Sequence, residues 1–271
     1  MSLPEPRSTS AALITGASAG IGAAVAHELA ARGYNLILVA RRKDKLDELG
    51  AELTSAHGIR AESLGCDLTN DASRDRLAGR AASLGLEVDI LINNAGFATG
   101  GPFHEADPER EIEQVKILVE APVALCSAFL PDMVRRGYGA VLNVASTAGM
   151  QPLPYSAGYS AAKAYMLNFS EALHQEVRGL GVTVTALAPG PVSTEFWDAA
   201  GWQAGGQAFE KAVPKPAWVT AEQTAKAGVK GLQDGDRVVV PGLPIRTAML
   251  AARYVPHALK LPAIERVFRR R

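Results

Sequence analysis

Short, almost unbroken apolar runs recur along the chain, and each is followed by a longer stretch whose apolar residues return every three or four positions. The runs are Ala11–Thr15, Asn35–Ala40, Arg60–Gly65, Asp89–Asn93, Ala140–Ala145, Thr183–Ala188 and Arg237–Pro241. Several of them are apolar almost throughout and have no wet face, which predicts strands covered on both sides, as in a parallel sheet. The periodic stretches predict helices over Gly20–Arg32, Arg42–His57, Asn70–Leu84, Asp107–Gly137 and Tyr155–Leu180. In the second of these, Leu46, Leu49 and Leu53 form one buried stripe. Gly33, Gly58, Gly137 and Gly181 stand just past helix ends, where a left-handed residue stops the helix. Strands alternating with helices, joined by right-handed crossovers, predict an α/β fold: a doubly wound parallel sheet of about seven strands with helices on both faces.

No repeat or linker divides the pattern, so residues 11–247 are read as one domain behind a short leader, residues 1–10. After Pro189 the alternation breaks. Residues 190–217 hold Gly201, Gly205, Gly206, Pro214 and Pro216 among Phe196, Trp197, Trp202 and Phe209. An irregular segment of that length inside a compact domain predicts a substrate lid. Residues 248–271 carry Arg253, Lys260, Arg266, Arg269, Arg270 and Arg271 against Glu265 alone. Such a basic tail can touch an anionic membrane, but a solvated helix end is the plainer reading.

Composition narrows the function classes. The 271 residues hold 28 basic and 28 acidic side chains, with no basic field of the kind a general nucleic-acid binder needs. Cys66 and Cys126 are too few for a disulfide framework and read as core residues in a reducing compartment. The uncharged stretch Ala11–Ala26 is cut by Thr15-Gly16 and Gly20-Ile21-Gly22, unlike the unbroken core of a signal peptide. A soluble, cytoplasmic protein is expected. His27, His57, His104, His174 and His257 are scattered, so no metal site is expected.

The loop Thr15–Gly22 follows the first strand and opens the first helix. Glycines there let the backbone approach a pyrophosphate whose charge rests on the helix N-terminus. That placement predicts a Rossmann-type dinucleotide site built from Gly16, Ser18, Ala19, Gly20, Ile21 and Gly22. About 20 residues on, an NAD site carries an acidic side chain for the ribose diol. Here Ala40 is followed by Arg41 and Arg42, whose guanidinium groups can fork onto a 2′-phosphate. NADP(H) is the expected cofactor.

Tyr159 and Lys163 lie four residues apart on one helix face. A phenol titrates near 10, and a neighbouring ammonium is expected to lower that value toward neutrality. Ser146 follows the strand Ala140–Ala145, at the carboxyl edge where ligands of parallel sheets collect. Its hydroxyl can donate to a carbonyl oxygen while Tyr159 transfers the proton.

With these residues in order, the chain resembles the short-chain dehydrogenase/reductase family, in its compact one-domain form, from about Ala11 to Pro241. The matching residues are the glycine loop, Asp67, Asn93-Asn94-Ala95-Gly96, Ser146, Tyr159, Lys163 and Pro189-Gly190. The resemblance implies that Asp67 and Leu68 contact adenine and that Asn94, Ala95 and Gly96 shape the cofactor cleft. It also implies that Lys163 holds the nicotinamide ribose, with Pro189, Gly190, Val192 and Thr194 beside the nicotinamide amide. It implies a homodimer or homotetramer as well. One position departs: aligning Pro122 with the family's proline puts Leu118 where an asparagine normally assists the lysine's proton relay, and Gln114 one turn earlier is a candidate substitute.

The expected function is hydride transfer between NADP(H) and a carbonyl/alcohol pair, in the direction of reduction. Phe97, Met150, Leu153, Tyr155, Phe196, Trp197 and Trp202 form the expected pocket, suited to a hydrophobic ketone or aldehyde. A non-catalytic NADP-binding sensor is the alternative, though it would have no need of Tyr159 and Lys163. An enoyl reductase would space that pair more widely, and a sugar-nucleotide epimerase would need a larger C-terminal substrate region.

Overall fold

A computed structural model describes residues 3–194, 196, 215, 218–252 and 254–268. Its strands are β1 (Ser10–Thr15), β2 (Asn35–Ala40), β3 (Ala61–Gly65), β4 (Glu87–Asn93), β5 (Gly139–Val144), β6 (Val182–Leu187) and β7 (Val238–Val239). They form one sheet in the order β3-β2-β1-β4-β5-β6-β7, with every pair parallel. This is the doubly wound Rossmann-type fold that the alternation predicts. The chain reverses its winding direction between β1 and β4, and a crevice opens at the carboxyl ends of those strands.

Successive strand residues feed opposite layers, as the two-residue period of a strand requires. Ile14, Leu36, Leu38, Ile90, Ile92 and Leu142 pack with Leu29, Leu46, Leu53 and Val229 from α1 (Gly20–Ala30), α2 (Lys43–His57) and α8 (Ala221–Asp234). Their neighbours Leu13, Ile37, Val39, Leu91 and Val141 pack on the other face, with Leu125, Met133 and Ala162 from α6 (Ala121–Arg136) and α7 (Ala157–Val177). The four glycines expected past helix ends all adopt positive φ. Cys66 and Cys126 are buried and free, and burial pushes the Cys126 thiol up to about 12.

Several boundaries differ from expectation. The helix expected over Asn70–Leu84 is two pieces, α3 (Asp71–Asp75) and α4 (Leu77–Ala82), and Arg74 of α3 is turned inward, donating to Glu120 at 2.9 Å. The helix expected over Asp107–Gly137 begins as α5 (Pro108–Val115) and widens into a π turn at Lys116–Glu120 before α6. Pro122 explains the widening: its ring would clash with the carbonyl of Leu118 in a regular α-turn, and an extra residue in the turn relieves the clash. The continuous helix Pro108–Arg136 is long and apolar enough to cross a membrane, but Leu118, Leu125 and Met133 are spent on the sheet.

The leader is also more structured than its composition suggests. Ser10 pairs with Glu87 and belongs to β1, and Leu3 enters the core. The Tyr34 hydroxyl donates to the Pro4 carbonyl at 2.7 Å, and Arg7 bridges Glu87 and Asp89, each at 2.8 Å. Of the expected lid, residues 190–194, 196 and 215 are described, and Trp197, Trp202 and Phe209 lie outside the described residues.

Candidate active site

The glycine loop is shaped by close approach. A Cβ on Gly22 would lie 2.3 Å from the Gly16 carbonyl oxygen and 2.5 Å from the Asn94 amide nitrogen. A Cβ on Gly16 would meet Ala95 at 2.8 Å. Only bare backbone fits where the turn after β1, the first turn of α1 and the loop after β4 converge. α1 follows Ala19 at its N-cap, which offers no side-chain cap, and has no acid in its first turn, so its leading N–H groups suit an anion.

Thr15 ties that convergence together. Its hydroxyl accepts from the backbone N–H of Asn94 (2.9 Å) and of Ala95 (3.0 Å) while donating to Ile92. The Asn94 amide returns a bond to the Thr15 carbonyl at 2.9 Å. Asn94 thus braces the cleft floor. Across the loop, the Arg42 guanidinium donates to the Ser18 hydroxyl at 3.2 Å. The two residues that the sequence assigns to phosphate recognition therefore meet from separate elements. Asp67 turns one carboxylate oxygen back onto Thr69, shaping the turn after β3.

All the candidate cofactor residues except Gly22 line a single cleft of about 690 Å³: Gly16, Ser18, Ala19, Gly20, Ile21, Arg41, Arg42, Asp67, Leu68, Asn94, Ala95, Gly96, Pro189, Gly190, Val192 and Thr194. Gly22 shapes the cleft from behind. A glycine cradle at one end and a cationic corner beside it fit a phosphorylated dinucleotide.

At the other end stand Ser146, Tyr159 and Lys163. Ser146 leaves β5 and caps a 3-10 turn, Thr147–Met150, accepting from the Ala148 N–H at 3.1 Å. α7 supplies Tyr159 and Lys163. The Lys163 ammonium donates to the Val144 carbonyl at 2.7 Å and lies 5.7 Å from the centre of the Tyr159 ring. Desolvation raises the Tyr159 phenol to about 12 against the opposing pull of its bond with Ser146. Desolvation also lowers Lys163 to about 7. The expectation that the ammonium alone makes the phenol acidic is therefore not met in this state, because burial penalises both charged forms.

These shifts fix a pH response. Between pH 7 and 10.5 the unfolded chain keeps a proton on Lys163 that the folded chain has lost, so folding stability rises with pH across that window. From pH 10 to 12 the folded chain keeps the Tyr159 proton and the unfolded chain loses it, so stability falls. Urea midpoints measured across this range should rise and then fall, and Lys163→Met should flatten the rise. Superimposable curves for the two proteins would refute this.

Leu118 is 2% exposed, and its Cδ2 would be 2.5 Å from a Cβ on Gly96. It fills the space above the cleft loop and offers no hydrogen bond. Gln114 does not replace the missing polar group: its amide donates to Thr99 at 2.7 Å, its oxygen lies against Gly158, and it is absent from the cleft wall. Leu118→Asn is expected to leave turnover unchanged or raise it. Collapse of turnover in a variant with an unchanged melting curve would show that the leucine is itself required.

Several contributors escape a reading of the sequence. Asn93, Asn143 and Ser170 form a buried chain, Asn93 donating to Asn143 at 2.8 Å and Asn143 to Ser170 at 2.9 Å, which locks β4, β5 and α7 together beneath the site. The signal was present: an asparagine inside the apolar run Val141–Val144. Gly149 lets the serine turn press onto α7, since a Cβ there would be 2.5 Å from the Lys163 backbone. The apolar wall also differs from expectation. Phe97, Leu153 and Phe196 line the cleft, Met150 and Tyr155 do not, and Trp197 and Trp202 lie outside the described residues. Ile245, Met249, Ile264 and Phe268 complete the wall. They come from α9 (Leu243–Ala252) and α10 (His257–Phe268); Ile245 lies at the end of the expected domain, and Met249, Ile264 and Phe268 lie in residues 248–271, expected to be mostly a solvated tail. Arg110 adds one cation, its guanidinium 3.6 Å from the centre of the Phe97 ring. Among the described residues no cluster of histidine, cysteine or carboxylate side chains could hold a metal ion.

A dinucleotide cradle thus opens onto a serine, a tyrosine and a buried lysine at the switch point of a doubly wound sheet. The model of the short chain dehydrogenases matches residues 10–203, and the chain belongs to that family. A very-long-chain 3-oxoacyl-CoA reductase of Bos taurus is 34% identical over 189 residues, which cover 68% of this chain and 60% of that protein. The match thus spans less than two thirds of the relative's length. Among solved structures, a short-chain dehydrogenase from Sphingobium yanoikuyae in complex with NADPH is 33% identical with a TM-score of 0.79, covering 90% of this chain and 93% of the other. A bulky-bulky ketone specific alcohol dehydrogenase from Comamonas testosteroni is 26% identical with a TM-score of 0.74, covering 92% and 100%.

Proposed function

We propose that the chain reduces apolar ketones or aldehydes with NADPH. The observation that carries this reading is the single cleft with a cationic, glycine-lined end, a serine–tyrosine–lysine centre and an apolar wall beyond it. When bound, NADPH supplies the hydride. Ser146 holds the substrate oxygen through its hydroxyl, and Tyr159 gives that oxygen its phenolic proton, so the carbonyl becomes an alcohol. Lys163, anchored on the Val144 carbonyl with its nitrogen 5.7 Å from the centre of the Tyr159 ring, places a positive charge beside the resulting phenolate when protonated. The apolar wall keeps water from the reacting carbon. The named activities of the relatives, reduction of a very-long-chain 3-oxoacyl-CoA and specificity for a bulky-bulky ketone, support a large apolar substrate.

The test is loss of NADPH absorbance across a panel of carbonyls graded by apolar size. Turnover rising with size supports the reading, and an inert panel despite NADPH binding would leave the sensor alternative. For the cofactor, Arg41→Ala/Arg42→Ala should raise KM for NADPH by about ten- to a hundredfold, the value of one or two charge-assisted bonds to phosphate. KM for NADH should hardly change. An equal loss for both nucleotides would remove the 2′-phosphate from the argument.

A further inference from the structure

We propose that α9 and α10 form a docking face for an anionic lipid bilayer. Each helix has two sides. The inner sides give Ile245, Met249, Ile264 and Phe268 to the cleft. The outer side of α9 presents Leu243, Arg246, Thr247 and Leu250 at helical spacing, all exposed. That of α10 repeats the pattern with Leu259, Pro262, Ala263 and Arg266. Leu243 is 72% exposed, Leu259 69%, and Tyr254 in the connection 85%. Large apolar side chains at such exposure on successive helices suit a contact surface.

Charge selects the occupant. Residues 240–271 hold seven of the chain's 28 basic residues and one of its 28 acidic residues. Among the described residues, Arg246, Lys260 and Arg266 stand on the two helices that carry the bare leucines, with Glu265 as the one acidic residue there. The sequence adds Arg253 and Arg269–Arg271 to the same stretch. A second copy seated there by two-fold symmetry would set like charge against like. An anionic bilayer suits both features, since leucines enter the acyl boundary while arginines and lysine meet lipid phosphates. The same two helices would then wall an apolar cleft on one side and rest on lipid with the other.

The full chain should pellet with vesicles of phosphatidylcholine mixed with phosphatidylglycerol, not with phosphatidylcholine alone, and salt should release it. Leu250→Glu/Leu259→Glu, with Arg246→Glu/Arg266→Glu as an independent pair, should each weaken partitioning by about tenfold or more. Thermal unfolding midpoints should stay unchanged, because these side chains are exposed. No pelleting, equal pelleting on both lipids, or pelleting indifferent to both pairs would overturn the proposal. So would a protein that ignores vesicles but loses self-association on the leucine substitutions, which would mean that a second copy covers the face. None of these readouts involves turnover, so failure of the reductase reading leaves them interpretable.

Discussion

Tyr159→Phe should lower turnover by about 10²–10⁴-fold, the range lost with a positioned proton donor, while NADPH affinity stays near the parent value. The substitution removes one oxygen and keeps the ring, so the packing against Phe196 at 5.8 Å between ring centres is preserved. Nothing at the glycine end changes. Ser146 loses its phenolic partner but keeps its bonds to Ala148 and Pro189. A single-turnover measurement with NADPH bound in advance isolates the chemical step. Retention of more than about a tenth of the parent rate would move the proton donor to another group and end the assignment of Tyr159.

Gly22→Ala should be the most damaging change at the nucleotide end. The new methyl group would stand 2.3 Å from the Gly16 carbonyl oxygen, where both neighbours are backbone or a braced amide rather than a flexible side-chain tip. Relief requires the loop to part from α1 or from Asn94. Overpacking of this kind costs about 1–3 kcal/mol. Because the displaced peptides are those that would face phosphate, the loss falls on binding, about ten- to a hundredfold in Kd for NADPH. Titration of NADPH fluorescence measures it. Unchanged affinity would show that the cradle is looser than its contacts indicate. Gly79, with open space around it, is the control position for the same substitution.

Much of this was legible in the chain because its causes are local. Strand burial on two faces shows as runs such as Leu36–Ala40, and the glycine loop is contiguous between a strand and a helix. Tyr159 and Lys163 share a helix face by spacing alone. What escaped depends on contacts between distant segments. Whether Gln114 could reach Lys163 was settled by Thr99, fifteen residues away and without periodic signature. The apolar wall escaped because Ile245, Met249, Ile264 and Phe268 sit among basic residues and prolines, and charge dominated the reading of that stretch. The pKa directions escaped as well, since spacing reports which groups are neighbours and only burial reports the cost of charging them.

The Gly149 turn has a kinetic corollary. Because Gly149, three residues after Ser146, lies directly on the backbone of Lys163, main-chain contact sets how closely the serine turn approaches α7, and the Val144 carbonyl holds the amine at the end of its side chain. The reaction centre is assembled before any nucleotide arrives. Chemistry should then follow encounter without a slow rearrangement of these groups, and a lag in pre-steady-state turnover would have to originate in another segment of the chain.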